Sequence, residues 1–214
     1  MDERTKRVLA RASKAWDKAE KRIKEAQNLR GEVVQASIAE LRYAGRRLLD
    51  AINLYVSKPS MTDEERDTFE GYISEVENNC IRAEHDAVDA QCFFMRKRLL
   101  QIEAEFGRGA LAHYFKDTYF NMLSRLEQID ELLAMSRAKR EARNGVYDEL
   151  ANDHLPALIK FEDDLCQAEK FLEQQFEEDR EALERAQKQR DQRFYLMLGL
   201  AIASVFFGVL SLLN

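Results

Sequence analysis

Proline and glycine are the scarcest structural residues in this 214-residue chain, with two and eight respectively. Sandwiches, barrels and doubly wound sheets need a turn every few residues, and this composition cannot supply them. There are three cysteines, Cys80, Cys92 and Cys166. They are odd in number and widely spaced, which argues against a disulfide framework and against a Cys-x-x-Cys metal or redox site. Histidine is equally sparse. None of His85, His113 and His154 follows a glutamate at the spacing of a Glu-x-x-His di-metal motif. The chain also lacks a phosphate loop, a dinucleotide fingerprint and a nucleophile elbow. No catalytic residue, cofactor site or metal site is therefore assigned, and the chain is read as a non-enzyme.

What is abundant is charge and helix-compatible hydrophobicity. Charged residues make up 34% of the chain and hydrophobic residues 45%, enough to build a core. The 33 basic and 39 acidic residues are unevenly placed. Residues 1–30 carry ten bases against five acids, whereas residues 146–193 carry seven against fourteen. The chain as a whole is acidic, so no nucleic-acid partner is expected.

Apolar residues recur at three- and four-residue steps, which predicts an all-α protein. The first helix is expected over about 2–56, with a seam through Leu9, Trp16 and Ile23 that is thin before Gly31 and richer after it. Pro59 forces the residue before it out of helix, and Thr62 with Glu65 forms a capping box for a second helix over about 63–106. Gly107 and Gly109 end that helix, and Asn144-Gly145 ends a third over about 110–143. Pro156 lies 11 residues beyond Gly145: either one helix over 146–193 is kinked there or, as favoured, 146–152 is a short turn of helix and Asp153 caps a fourth helix that starts near 157 and runs to 193. Short links between long helices predict an antiparallel, coiled-coil-like four-helix bundle.

From Phe194 to Leu213 the chain carries no charge for 20 residues. That is about the ~20 residues a helix needs to cross a bilayer, which predicts a C-terminal single transmembrane tail anchor over 194–213. Arg185, Lys188, Arg190 and Arg193 flank it, so the positive-inside rule places the bundle, 1–193, in the cytoplasm. Gly199, Ala201, Ala203, Ser204, Gly208 and Ser211 form a small-residue seam along the expected span, suited to self-association. Arg4, Lys6, Arg7, Arg11 and Lys14, with Arg190 and Arg193, form a basic set suited to the surface of a lipid bilayer or to pairing with the acidic residues 173–184.

Two local features invite a site. Arg82, Glu84, Asp86 and Asp89 interrupt the apolar stripe of the second helix, and His113, Tyr114, Phe115, Tyr119 and Phe120 on the third could roof a small-ligand niche there. The simpler reading is an aromatic core layer with internal ion pairs. The functional expectation is a tail-anchored, self-associating scaffold whose bundle docks a soluble protein partner. The alternative is a membrane-acting effector, a pore-forming or bilayer-disrupting protein triggered through its bundle.

Overall fold

The computed structural model describes residues 2–58 and 60–212, so the expected break at Pro59 lies outside the described residues. Those residues form six α-helices: α1 (Glu3–Arg30), α2 (Gln35–Ser57), α3 (Asp63–Phe106), α4 (Arg108–Ala138), α5 (Arg143–Glu149) and α6 (Leu155–Leu212). A 3₁₀ turn, Arg140–Ala142, precedes α5, and a π turn, Leu150–His154, joins it to α6. The chain divides into two compact units, residues 1–162 and 163–214.

The first unit is built on α3. Its start is the expected capping box: the Thr62 hydroxyl accepts from the Glu65 amide at 3.3 Å, and the Glu65 carboxylate accepts from the Thr62 amide at 2.9 Å. Its end is Gly107, at φ +80°, whose amide donates to the Glu103 carbonyl. Glycine takes that conformation without a Cβ clash. Against the first half of α3 lies a helical hairpin. α2 runs antiparallel to α3, pairing Lys58 with Glu65 and Arg47 with Glu75. α1 runs parallel to it. Arg4 meets Glu70, Arg11 meets Glu77 and Lys18 meets Glu84, each partner 66 positions further along and each pair seven residues after the last. The shared core takes Val8, Ala12, Ala19, Ile23 and Ala26 from α1, Ala44 and Ala51 from α2, and Phe69, Ile73, Val76 and Cys80 from α3. Alanine so often at the contact lets the helix axes approach closely.

The second half of α3 buries Val88, Met95, Leu99 and Ile102, and the elements after it bury Leu111, Met122, Ile129, Leu150, Leu158 and Phe161. α4 runs back along α3, tying Tyr119 to Glu103 and Asp130 to Arg96.

The all-α class stands, but several sequence expectations are corrected. The described contacts trace one central helix with a hairpin on its first half and the later elements on its second; they do not trace an up-down-up-down four-helix bundle. The helix expected over 2–56 is two helices, broken where Gly31 sits at φ +68° and its amide caps the Gln27 carbonyl. Asn144-Gly145 lies inside α5 rather than ending a helix. No Asp153 cap separates α5 from α6. Pro156 lacks the amide that an α-turn needs and crowds the carbonyl four residues back. The π turn relieves both by sending the Leu155 amide to the Leu150 carbonyl, five residues away. α4 itself is kinked at Lys116, a non-glycine residue at φ +42°, ψ −121°.

The second unit is the α6 stretch beyond Glu162. Its side chains from Glu177 through Tyr195 are exposed, with Arg180 paired to Glu177 and Arg185 to Glu181. Among the described residues no helix is long and apolar enough to cross a membrane. That overturns the single-pass placement with a cytoplasmic bundle. Up to Arg193 this stretch never runs more than four residues without a charge, so that part of it has no apolar belt. The expected small-residue seam, Gly199, Ala201, Ala203, Ser204, Gly208 and Ser211, falls on α6 positions whose side chains lie outside the described residues.

Candidate functional site

Two features of the first unit gather polar and exposed apolar side chains in one place: a buried polar clasp and a groove beside it. The clasp forms where α1, α3 and α5 meet. Glu84 and His85 are buried on α3, each 5% exposed, where a carboxylate and an imidazole need partners. Lys18 reaches in from α1, its Nζ 3.0 Å from Glu84 Oε1 and 2.7 Å from Asp148 Oδ1 of α5. The approach to Glu84 compensates charge without the alignment of a hydrogen bond, and Glu84 Oε1 has no hydrogen-bond donor. Arg22, one turn further along α1, lies 3.9 Å from the same oxygen and donates to Asn152 Oδ1 at 2.7 Å. Gln91 donates to the Arg22 carbonyl at 3.5 Å.

The imidazole of His85 stacks on the Tyr147 ring, and the Tyr147 hydroxyl donates to Asp89, at 2.9 Å to Oδ1 and 3.0 Å to Oδ2. Burial, reinforced by Arg143 and Lys18, lowers the His85 pKa to about 4, so the ring is neutral at pH 7. Burial raises the Asp89 carboxyl against the lowering pull of the Tyr147 hydrogen bond, and burial with the Asp89 charge pushes Tyr147 up to about 12. Lys18 loses some of its charge preference to burial, but its bond to Asp148 and the nearby Glu84 charge outweigh that and raise its pKa. Every titratable group is held by another side chain, which makes the cluster a clamp between helices.

Asp89 also belongs to the groove, a cleft of about 480 Å³ between α3 and α4. Cys92, Leu126, Ile129 and Leu133 give it an apolar floor, Phe93 stands at its rim 68% exposed, and Asp89, Arg96, Asp130 and Arg137 flank it. The charges alternate in sign along the walls. Burial and the neighbouring Asp89 push the Cys92 thiol up to about 12, so it presents no thiolate nucleophile at neutral pH. A second, narrower cleft of about 270 Å³ separates α1 from α2 over Val76, lined by Leu9, Ala12, Ser13, Trp16 and Leu48.

The sequence-derived candidates are partly brought together. Glu84 and Asp89 do belong to one polar cluster, but its aromatic roof is Tyr147 of α5. His113 and Tyr114 lie edge to face with each other on α4, and Tyr119 donates to Glu103 at 2.5 Å. Of the basic set, Arg4 and Arg11 pair with Glu70 and Glu77 of α3, and Lys6 pairs with Glu3. The Arg7 guanidinium donates to the Glu3 carbonyl, Lys14 is exposed on α1, and Arg190 and Arg193 are exposed on α6. Among the described residues no three His, Cys, Asp or Glu side chains are grouped to hold a metal ion.

Sequence reasoning missed Lys18, Arg22, Tyr147 and Asp148. One signal was present: Arg4, Arg11 and Lys18 repeat at seven residues, as do Glu70, Glu77 and Glu84. No family model matches the chain, and no similar curated protein or solved structure was found.

Proposed function

We propose that the chain is a non-enzymatic docking scaffold whose α3–α4 groove seats an amphipathic helix of a partner protein. The groove carries this reading. Its walls are two helical stripes, Asp89, Cys92, Phe93 and Arg96 on α3 and Leu126, Ile129, Asp130, Leu133 and Arg137 on α4, spaced as the faces of two helices that would flank a third. The exposed Phe93 at the rim offers apolar surface that the partner helix would cover. Arg96 and Asp130 pair with each other at one end of the groove, and Asp89 with Arg137 makes the other end polar, which suits a helix with polar residues beside its apolar stripe. The clasp behind the groove supports the same role, since it holds α3 and α5 in place without offering a reactive group.

The test replaces Phe93 with a photoreactive phenylalanine analogue in the native host. A discrete adduct whose cross-linked peptide maps to one amphipathic helix, lost in a folded Leu126→Glu/Leu133→Glu variant, supports the proposal. An absent adduct, or one spread over unrelated proteins, overturns it.

A further inference from the structure

The break between α1 and α2 is weakly built. Gly31 alone takes the left-handed conformation, and the residue that precedes α2, Val34, gives no side-chain cap and is followed by no acidic residue in the first turn. The first amides of α2 therefore lack the partners a helix start normally has. No proline interrupts residues 3–57, and apart from Gly31 the stretch 27–38, QNLRGEVVQASI, can continue as helix. A straight helix through the break would supply those amides with the carbonyls of residues 31–33, and the last carbonyls of α1 with the amides of residues 31–34. The contacts of α1 lie mainly with α3, with Lys18 reaching Asp148 of α5, and only lightly with α2, where Trp16 nears Gly45 beside the cleft over Val76.

We infer that Gly31–Val34 is a domain-swapping hinge: the hairpin opens into one helix spanning 3–57, and α1 docks on the α3 of a second copy of this chain. The geometry is consistent in direction. α2 is antiparallel to its own α3, so a straightened α1 is antiparallel to it as well. A two-fold axis at the hinge sets the partner's α3 antiparallel to the first, and α1 meets it parallel, as it meets its own in the hairpin. Every α1–α3 contact re-forms between chains, including the ladder from Arg4 to Lys18, and each clasp takes its Lys18 and Arg22 from the other copy. Short hinges between helices that could fuse favour this exchange. The inference is independent of the α3–α4 groove.

The hinge can be biased both ways. Gly31→Ala removes the residue that tolerates the hairpin and adds a better helix former, about fivefold per hinge, so dimerisation tightens by roughly 25-fold. Gln35→Pro sits at the first position of α2, exposed, where proline is tolerated in the hairpin but breaks the fused helix. It remains monomeric. Light scattering on the full chain reads both effects.

Mixing ¹⁴N- and ¹⁵N-labelled copies, exchanging them through denaturant and coupling with a carbodiimide then reads the swap itself. The dimer carries mixed-isotope Lys18–Asp148 links and the monomer carries same-isotope links only. A Gly31→Ala chain that stays monomeric at every concentration overturns the inference, as does a dimer with same-isotope links alone. If circular dichroism finds Gln35→Pro unfolded, two glycines inserted after Glu32 serve in its place. Dimerisation of that variant as strong as the parent's overturns the inference too.

Discussion

The imidazole of His85 lies nearly flat on the ring of Tyr147, centroids 3.8 Å apart and planes 17° from parallel. His85 comes from α3 and Tyr147 from α5, so this stack joins the long helix to the short one and leaves the imidazole little contact with water. Its protonation is therefore coupled to folding.

That coupling gives the first prediction. The His85 pKa falls from 6.5 to about 4 on folding, so the unfolded chain binds the proton first as pH drops. Its contribution to stability is complete above about pH 6.5 and is lost progressively toward pH 4, on the order of 2–3 kcal/mol in all. Asp86 and Asp89, whose carboxyls burial raises, act in the opposite sense. Urea unfolding across this range, compared with His85→Gln, isolates the histidine: the variant's stability falls less steeply on acidification. Parallel profiles would contradict the assignment.

Tyr147→Phe keeps the stack and removes the hydroxyl that Asp89 accepts from. The expected loss is about 1.5–3 kcal/mol, the range for a hydrogen bond to a charged group. Asp89→Asn in the same background costs less than it does alone, because the two act as one pair. Additive losses in a double-mutant cycle would count against the coupling.

The ladder between α1 and α3 is graded by burial. Arg4→Ala removes an exposed pair and costs about 0–1 kcal/mol, with the loss shrinking in high salt. Glu84→Ala leaves Lys18 and Arg22 without their inner partner and costs more, roughly 1–3 kcal/mol. Chemical denaturation of the two variants at low and high salt checks both the order and the salt response.

Lys116 adopts a conformation that costs a residue with a Cβ of order 1–3 kcal/mol. Lys116→Gly relieves it, against a smaller entropic loss in the unfolded chain. A net gain of about 1 kcal/mol raises the melting temperature by about 2–4 °C, and Lys116→Val lowers it. Calorimetry on the two variants decides the sign.

How much of this was legible depends on range. The Thr62–Glu65 capping box and the Gly107 stop are local chemistry, and both formed as their residues required. The break at Gly31 was not legible, because one glycine without a proline or a good cap is also compatible with an uninterrupted helix. The π turn before Pro156 answers a clash that local reading resolves equally well by a cap or a kink. The clasp was out of reach for a different reason. Lys18, Glu84 and Asp148 are separated by 66 and 64 positions, and only the packing of three helices brings them together. The uncharged run after Arg193 shows the converse limit: absence of charge over the right length is necessary for a membrane crossing but does not by itself establish one.

The π turn at Leu150–His154 also sets the phase of the buried face downstream. Successive residues of an α-helix step about 100° around the axis, and the i→i+5 coil takes up one extra residue within a single wide turn, so the buried face continues beyond it with its sequence spacing shifted by one. Leu155, Leu158 and Phe161 are buried in this setting. Deleting a single residue between 150 and 154 would close the coil to an α turn with Leu158 and Phe161 still inward, whereas inserting one between 155 and 158 would swing both about 100° off the core, although no side chain of the apolar face had been altered.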